Sequence, residues 1–299
     1  MRLMFKWYLR LLIFISLIRT LNAELNFFPY MSNKHAHHQD LTITIKTTKA
    51  NHNTRLASIL DTWFNDAPSN IFVVTDRTND EQLIRLLGDR LITTNCGDKH
   101  DHFSLNCKLQ TELEIMAKHN ADWSCHFDDD NFVNVRRLRN VLAQYDTRIP
   151  FYIGRSSTNR PVEVDDRRFW FATGGAGICL SRTLLDRIRP FIPRFNKLFT
   201  NFEAPDDVTF GYLVTNLLKV PLTTNKAFHS HLEDGKQIST VQQQVSLSPV
   251  LGQDIPSMFS ATANHHLFYS LYCHIHPSKC KKMAIKMQRR LVSLSSPGL

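Results

Sequence analysis

The sequence lacks the short motifs that identify several common enzyme classes. None of its six cysteines lies in a C-x-x-C pair, and there is no H-E-x-x-H motif and no G-x-x-x-x-G-K-S/T loop. These absences argue against a zinc knuckle, a zinc protease and a P-loop nucleotide hydrolase. The chain also has no internal repeat and no N-x-Ser/Thr sequon. With 42% hydrophobic and 21% charged residues among 299, it has the composition of an ordinary globular protein.

The sequence also has fewer acidic than basic residues. Lys and Arg number 36 against 27 Asp and Glu, which gives a formal charge of +9 and a pI near 9.3. A nucleic-acid partner is not predicted, because the basic residues are scattered along the chain and are densest only near the C-terminus. A scattered positive excess is typical of a soluble protein, and it also suits an anionic ligand such as a nucleotide-sugar diphosphate.

The six cysteines indicate an oxidising compartment. They lie at positions 96, 107, 125, 179, 273 and 280, so that two pairs are eleven and seven residues apart. Such spacings are typical of short loops closed by disulfide bonds, and an even count fits complete pairing. The spacing alone leaves all fifteen connectivities open.

The N-terminal segment supports entry into the secretory pathway. Residues 1–23 combine basic residues near the start with an apolar run at 11–18, and they end at Ala23, which is suited to cleavage. That run is shorter than the roughly twenty residues that span a bilayer. A signal peptide and an uncleaved signal-anchor are both open. Residues 24–40 are predicted to form a short polar stem, and residues 281–299 a basic tail.

Strand and helix patterns alternate between residue 41 and about residue 280. Strands are predicted at 41–46, 71–75, 91–94 and 123–127, and helices at 53–64, 79–87, 107–119 and 135–145. This alternation predicts an α/β domain with a mainly parallel central sheet. Ligands bind such sheets beyond the carboxyl ends of the strands. Asp76 and the acidic triplet Asp128–Asp130 fall at such ends.

The triplet Asp128–Asp130 is the main candidate for chemistry. Carboxylate oxygens suit hard cations such as Mn²⁺ or Mg²⁺, which proteins commonly share with substrate phosphates. On an extended backbone alternate side chains face the same way, so Asp128 and Asp130 are expected to project together and Asp129 to the other side. Three aspartates alone more often form an acidic turn. Their position directly after an apolar strand favours the metal site.

Two further pairs could complete such a site. His229 and His231 are two residues apart, so on a strand they would share a face, and one of them could be a metal ligand. Pro205 followed by Asp206 and Asp207 predicts the start of a helix with acids in its first turn. Acids are ordinary at that position. Mutual repulsion nevertheless raises at least one pKa of an adjacent pair, so one of the two could be a general base.

The segment 169–177 places three glycines after three aromatic residues. It lacks the Lys-Ser/Thr of a P-loop and the spacing of a dinucleotide fingerprint. A loop with aromatic walls suits a sugar or a nucleoside, whereas a tight turn packed into the core fits the same composition. The sequence leaves these two interpretations about even.

In their order along the chain, these motifs resemble those of the Fringe glycosyltransferases. The resemblance covers roughly residues 41–280 and depends most on two specific segments, Phe169–Gly177 (FWFATGGAG) and Phe228–Glu233 (FHSHLE). It extends to the shorter motifs Lys46–Thr48, His52, Arg55–Leu56, Asp61–Trp63, Thr75–Asp76, Thr94–Cys96, Ser104–Lys108, Cys125–Asn131 and Pro205–Asp207. Similarity to Fringe implies a GT-A-like nucleotide-sugar-binding fold and an enzyme that uses Mn²⁺, with Mg²⁺ as the alternative.

The resemblance also implies the reaction and the residues that perform it. N-acetylglucosamine would pass from UDP-GlcNAc to the 3-hydroxyl of O-linked fucose on epidermal-growth-factor (EGF) repeats of Notch-type receptors, with inversion to a β1,3 bond. Asp207 would be the catalytic base. Asp130 and His231 would bind the metal. The expected substrate-binding residues are Arg55 and Asp129, together with Asp76 at its strand end.

Family resemblance implies a disulfide pairing and a location as well. The implied bonds are Cys96–Cys107, Cys125–Cys179 and Cys273–Cys280, which use all six cysteines. The implied location is the Golgi membrane, with single-pass type II topology and a lumenal catalytic domain. Secretion after signal cleavage is the alternative.

Two rival functions stay open at this point. One is a related β1,3-galactosyltransferase, because the choice of donor hexose can depend on few side chains. The other is a catalytically inactive, secreted binding protein of the same fold. The chain departs from typical Fringe enzymes in a shorter segment at Arg160–Phe169 and in Val208, and both departures bear on the acceptor.

Overall fold

The computed structural model describes residues 39–282 and residue 285, apart from 157, 165, 200–201, 234–237, 239 and 249–265. The signal peptide or signal-anchor expected at 1–23, nearly all of the expected stem and most of the basic tail lie outside the described residues. One folded unit begins at Gln39. No helix within the described ranges is both long enough and apolar enough to cross a bilayer.

Strands and helices alternate along the chain. The strands are β1 (Leu41–Lys46), β2 (Ile71–Asp76), β3 (Leu91–Thr94), β4 (Trp123–Asp128), β5 (Phe132–Val133), β6 (Tyr152–Gly154), β7 (Val162–Val164), β8 (Arg167–Phe169), β9 (Ile178–Ser181), β10 (Leu222–Thr224) and β11 (Ser246–Leu247). The α-helices are α1 (Ala57–Asp61), α2 (Glu81–Leu87), α3 (His102–His119), α4 (Val135–Leu142), α5 (Arg182–Ile188), α6 (Phe195–Leu198), α7 (Asp206–Gly211) and α8 (His266–Ile275).

Seven strands form the central sheet in the order β10-β6-β9-β4-β1-β2-β3. β1 pairs in parallel with β2 and β4, β3 with β2, and β10 with β6. Strand β9 runs antiparallel between β4 and β6. The predicted α/β class with a mainly parallel central sheet is therefore confirmed, with β9 as the antiparallel exception.

Most element boundaries agree with the sequence pattern. Strands β1 and β3 begin and end as predicted, and β2 and β4 each extend one residue further, to Asp76 and Asp128. The helix expected at 107–119 begins earlier, at His102, because the side chain of Asp101 caps its first turn.

The single continuous helix predicted at 53–64 is wrong. The structure has a π-helical turn at His52–Leu56, then α1, then a 3₁₀ turn. The break falls at Thr62, whose backbone leaves the helical region (φ −112°, ψ −110°). The Thr62 hydroxyl donates a hydrogen bond to the Ser58 carbonyl at 2.6 Å. Hydrogen bonds of this kind compete with the continuation of a helix.

Both faces of the sheet are covered. Every residue of β1 and β2 is buried, as expected of parallel strands with packed layers on both sides. Ile43 and Ile45 belong to a core cluster with residues of α1, α4 and α8. Tyr152 and Leu180 belong to a second cluster with residues of α5, α6 and α7. This packing leaves the carboxyl ends of the parallel strands as the open edge of the sheet.

Three disulfide bonds fasten the fold, and they are the pairs that the family resemblance implies: Cys96–Cys107, Cys125–Cys179 and Cys273–Cys280. Cys125 and Cys179 are direct partners in the register of β4 and β9. Cys96–Cys107 joins the segment after β3 to α3. Each bond stabilises the fold chiefly by limiting the freedom of the unfolded chain.

Gly177 connects a glycine-rich turn to β9, and both its backbone and its surroundings require glycine. Its φ is +93°, and a Cβ added there would lie 2.2 Å from Cε1 of the buried Phe127 ring. Gly177→Ala should therefore lower the free energy of unfolding by roughly 2–5 kcal/mol, from backbone strain and the steric clash together. Denaturant titration measures this loss.

Gly88→Ala is the matched control. Gly88 also has a positive φ, +54°, but no atom lies within 4 Å of its added Cβ. We expect a loss of about 1–3 kcal/mol there, from the backbone alone, because its ψ of −130° lies outside the left-handed region as well. Equal losses in the two variants would show that the contact with Phe127 contributes nothing.

Candidate active site

A cavity of about 420 Å³ opens beyond the carboxyl ends of β1 and β4. Its lining includes the triplet Asp128–Asp130, the turn at Gly174 and Gly175, and the first residues of α7. Arg55 and His231 also line it. The structure therefore brings most of the predicted site residues to one cavity, at the edge of the sheet where a ligand was expected.

The acidic triplet leaves β4 through a tight turn. Asp128 is the last strand residue, and the Asn131 amide donates a hydrogen bond to the Asp128 carbonyl at 3.1 Å, which closes a turn over Asp129 and Asp130. The expectation that Asp128 and Asp130 project together from an extended backbone is therefore wrong. The turn directs the three carboxylates to three different sets of partners.

Asp129 is buried in one wall of the cavity. Its carboxylate accepts hydrogen bonds from Thr47 Oγ1 at 2.7 Å, Asn51 Nδ2 at 2.8 Å and an Arg55 guanidinium nitrogen at 3.1 Å. Arg55 is the more accessible partner, with a side chain 50% exposed against 7% for Asp129. The two predicted substrate-binding residues thus form an ion pair at the cavity wall. Their contact with a sugar nucleotide stays a prediction.

Asp130 lies beside His231, with Asp130 Oδ2 3.6 Å from the imidazole Nδ1. The other carboxylate oxygen, Oδ1, is buried without a hydrogen-bond partner among the described residues. Burial, and then repulsion from Asp128 and Asp129, raises the pKa of Asp130 to about 6. A partly buried carboxylate with one buried, unmatched oxygen beside an imidazole suits a divalent cation, which would supply the missing partner.

A cation at this pair would need ligands from elsewhere. No group of three or more His, Cys, Asp or Glu side chains in the described part of the chain could hold a metal ion by itself. Hard divalent cations commonly retain water and bind substrate phosphates instead of occupying all-protein cages. Asp130 and His231 therefore fit a metal whose coordination is completed by a phosphate-bearing ligand.

His229 differs from His231 in its surroundings. The two do not share the face of a strand, because the chain at 228–233 has no strand and turns after Ser230. The ring nitrogens of His229 lie 2.9 Å from Glu233 Oε2 and 2.9 Å from Gln244 Oε1. His229 is therefore buried in a hydrogen-bonded position, and His231 is the imidazole that lines the cavity.

Asp207 is the second residue of α7, which begins at Asp206 after Pro205 as predicted. Its Oδ2 accepts a hydrogen bond from the Gly174 amide at 3.2 Å, and its Oδ1 accepts one from the Val208 amide at 2.8 Å. Burial, followed by repulsion from Asp206, raises the pKa of Asp207 to about 6. A carboxylate that gains its proton this close to neutral pH is suited to general-base chemistry.

The glycine-rich segment is both a packed turn and a wall of the cavity. Gly174–Ala176 forms a buried 3₁₀ turn, and its two glycines line the cavity. A Cβ added to Gly175 would lie 3.3 Å from Nδ1 of His231, so glycine allows the imidazole to approach the turn. Asn131 Nδ2 donates a hydrogen bond to the Gly175 carbonyl at 2.8 Å. This bond ties the turn to the end of the acidic triplet.

Asp76 is not among the described residues that line the cavity. It is buried at the end of β2, where it pairs with Lys108 Nζ and accepts hydrogen bonds from the Thr48 hydroxyl and the Lys49 amide. Lys108 and Thr48 do line the cavity. Asp76 therefore supports the wall from behind, and its direct contact with a substrate stays a prediction.

Apart from Arg55 and His231, sequence reasoning assigned no role to the basic side chains of the site. Lys46 is buried at the end of β1, and Lys108 reaches the cavity from α3. Lys99 and His100 reach it from the segment between β3 and α3. A lysine at the carboxyl end of a buried strand was a usable signal for Lys46. The positions of Lys99, His100 and Lys108 depend instead on how α3 and the segment before it fold over the sheet.

The sequence is similar to known glycosyltransferases. The family model described as Fringe-like matches residues 36–279. The β-1,3-N-acetylglucosaminyltransferase lunatic fringe of Mus musculus is 37% identical over 268 residues, 83% of this chain and 70% of that protein. The Fringe glycosyltransferase of Drosophila melanogaster is 39% identical over 257 residues, 80% of this chain and 62% of that protein. The β-1,3-N-acetylglucosaminyltransferase radical fringe of Gallus gallus is 36% identical, over 80% of this chain and 69% of that protein.

Solved glycosyltransferases align with the chain at low scores. The apo form of the glycosyltransferase GlyE from Streptococcus pneumoniae has a TM-score of 0.46 at 11% identity, over 83% of this chain and 64% of that one. The galactosyltransferase LgtC, in complex with donor and acceptor sugar analogues, has a TM-score of 0.42 at 11% identity, over 62% of this chain and 74% of that one.

Proposed function

The chain belongs to the Fringe-like family of glycosyltransferases, and we propose that it is an inverting, metal-dependent β1,3-N-acetylglucosaminyltransferase. Its donor would be UDP-GlcNAc, and its acceptor the 3-hydroxyl of O-linked fucose on EGF repeats of Notch-like receptors. The names of the lunatic and radical fringe relatives support the transferred sugar and the linkage. The GT-A-like α/β fold, with its mainly parallel sheet and three disulfides, is the scaffold that positions the site residues.

One observation carries the proposal. Asp207, whose pKa is raised to about 6, lines the same cavity as Asp130 and His231. Transfer by a single displacement requires a base for the acceptor hydroxyl and a means of holding an anionic donor. Asp207 is suited to the first task, and the pair of Asp130 and His231 to the second.

Asp207 would take the proton of the acceptor hydroxyl as that oxygen attacks the anomeric carbon of the donor. The new carbon–oxygen bond forms while the bond to the diphosphate oxygen breaks, and UDP leaves with the electron pair. One displacement inverts the configuration and forms no covalent sugar–enzyme intermediate, so the reaction needs no nucleophilic Cys or Ser. The Gly174 amide orients the base through its hydrogen bond to Asp207 Oδ2.

Arg55 and Asp129 would bind the sugar nucleotide, and Asp130 and His231 would hold Mn²⁺, or Mg²⁺ in its place. The buried, unmatched Oδ1 of Asp130 is the structural feature that supports a cation there. When bound, the cation stabilises the charge that develops on the departing diphosphate.

We also propose that the chain works in the lumen of the Golgi, as a single-pass type II membrane protein held by its N-terminal segment. Secretion after cleavage of that segment is the alternative. Three disulfide bonds support an oxidising compartment. O-fucosylated EGF repeats and a nucleotide sugar would be the partners, and no nucleic acid is among them.

A donor-by-acceptor assay tests the proposed function. The wild-type chain is incubated with UDP-GlcNAc or UDP-galactose, on fucosylated and unfucosylated EGF repeats, with and without Mn²⁺. We expect metal-dependent transfer of N-acetylglucosamine to the fucosylated repeat alone. Transfer of galactose would indicate the related β1,3-galactosyltransferase, and no transfer from either donor would indicate a binding protein.

In the same assay, Asp207→Asn keeps the shape of the side chain but removes its basicity. Transfer should fall by at least about 100-fold, while UDP affinity should change less than about twofold, because the base interacts with the transition state. Asp186→Asn is the matched control, an exposed carboxylate on α5 that pairs with Arg189, and it should leave transfer unchanged. Persistent transfer by Asp207→Asn would show that another group is the base.

Loss of either proposed metal ligand should weaken the binding of UDP in the presence of Mn²⁺. Asp130→Asn and His231→Ala should each reduce that affinity by at least about tenfold, because each removes one of two protein ligands. Calorimetric titration of UDP with Mn²⁺ and with a chelator measures the effect. His274→Ala, on an exposed position of α8, is the control. An unchanged affinity in both variants would refute the metal site.

A further inference from the structure

A buried lysine joins two parts of the cavity wall. Lys46 is the last residue of β1, and its side chain is 9% exposed. Its Nζ lies 2.5 Å from Asp206 Oδ2 and 3.2 Å from Asp128 Oδ1. Although burial alone would lower the pKa of Lys46, the carboxylates of Asp128 and Asp206 hold it well above its usual value. The ammonium is therefore charged at neutral pH.

The two carboxylates that Lys46 contacts belong to different parts of the proposed mechanism. Asp128 ends β4, two residues before the proposed metal ligand Asp130. Asp206 begins α7, and the next residue is the proposed base, Asp207. One ammonium thus connects the side of the cavity that would hold the donor with the side that carries the base.

We propose that Lys46 is a positioning residue for the transfer reaction, which acts through Asp206 to hold the Asp207 carboxylate in place. This inference rests on the proposed function. Lys46 fixes Asp206, Asp206 fixes the first turn of α7, and that turn sets the 3.2 Å hydrogen bond from the Gly174 amide to Asp207 Oδ2. Displacement of a catalytic group by about 1 Å can reduce a rate by ~100-fold.

A purely stabilising role explains the arrangement less well. A buried ion pair contributes little net stability, because removing its charges from water costs about as much as their attraction returns. Apolar side chains in place of all three charged residues would avoid that desolvation penalty, whereas an apolar side chain at Lys46 alone would leave the carboxylates of Asp128 and Asp206 without a counter-charge. The orientation that Lys46 imposes on Asp128 and Asp206 is the better explanation for a charge at this position.

Direct binding of the donor by Lys46 is also less well supported. Two carboxylates already contact its ammonium, and the side chain is nearly enclosed. Arg55 is half-exposed and Lys99 is exposed in the same cavity. These more accessible cations are better placed to meet a diphosphate.

The arrangement also gives Asp128 a role. Asp128 Oδ1 lies 3.5 Å from His126 Nε2, and His126 Nδ1 lies 2.9 Å from Oε1 of the buried Glu112. Against the effect of burial, these two carboxylates raise the pKa of His126 to about 10, so the imidazole is charged. Negative and positive groups therefore alternate in the series Glu112, His126, Asp128, Lys46, Asp206. Asp128 is the partner that holds Lys46 from the sheet side.

A double-mutant cycle tests the inference. Lys46→Met removes the ammonium but keeps an unbranched side chain, and Asp206→Asn removes the charge that Lys46 holds. If Lys46 acts through Asp206, each single variant should lose about 100-fold in kcat and the double variant no more than either. The affinity for UDP with Mn²⁺ should change less than about threefold throughout, because the positioning effect concerns the base.

Three outcomes of the cycle would overturn the inference. Losses that multiply in the double variant would show that Lys46 does not act through Asp206. Weakening of UDP binding by about tenfold or more in Lys46→Met would assign the ammonium to the donor. A lower melting temperature with an unchanged kcat per folded molecule would make the role purely structural.

Lys46→Arg provides a second test of the inference if Lys46→Met fails to fold. It retains the positive charge but places it on a longer, planar group, which is not geometrically equivalent. We expect this variant to fold, to bind UDP as the wild type does, and to recover only part of kcat. A wild-type kcat in Lys46→Arg would contradict a requirement for fixed geometry.

A structural measurement separates this inference from the proposed function. A crystal structure of the wild type should show the hydrogen bond between Asp207 Oδ2 and the Gly174 amide intact. A crystal structure of Lys46→Met should show this bond broken, and Asp206→Asn can be used in place of Lys46→Met. An unmoved carboxylate would overturn the inference whatever the enzyme transfers. A broken bond combined with no transfer by the wild type would overturn the proposed function alone.

Discussion

Repulsion among carboxylates gathered around one cavity is the constraint on which the rest of the site depends. The lining includes Asp128, Asp129, Asp130, Asp206 and Asp207. Like charges this close raise one another's pKa and favour protonation, and a protonated group can serve neither as metal ligand nor as base. A site that uses such carboxylates in their ionised form must therefore offset the negative charge of each one.

The fold offsets three of these charges from within. Hydrogen bonds and a guanidinium surround Asp129, and one ammonium is shared by Asp128 and Asp206. Burial, and then repulsion from neighbouring carboxylates, leaves Asp130 and Asp207 with pKa values raised to about 6 each. The protein compensates the charges of these two carboxylates least. They are also the two to which we assign a reaction partner: Asp130 would bind a cation, and Asp207 would accept a proton. The unequal distribution of counter-charges thus divides the acidic residues into supports and working groups.

The residue pattern predicted the strands of the central sheet, but it did not predict the geometry of the site. Strands β1 and β3 were predicted to the residue, because β-branched and apolar residues mark buried strands. The turn after Asp128 was missed, since a run of aspartates fits a strand end and a turn equally well. The contact of Lys46 with Asp206 spans 160 positions of sequence and depends on how α7 packs beside the sheet. The disulfide pairing followed from family resemblance, because spacing alone left every connectivity open.

The pH dependence of kcat/KM at saturating Mn²⁺ tests the central claim most directly, because it reports the ionisation of the essential base in the free enzyme. A base works only when deprotonated, so kcat/KM should rise with pH and level off above the raised pKa of Asp207, about 6. Saturating metal keeps Asp130 ionised, so the transition belongs to Asp207. A kcat/KM that stays constant between about pH 5 and about pH 7.5, with transfer shown to limit the rate, would contradict the assignment of Asp207 as the base.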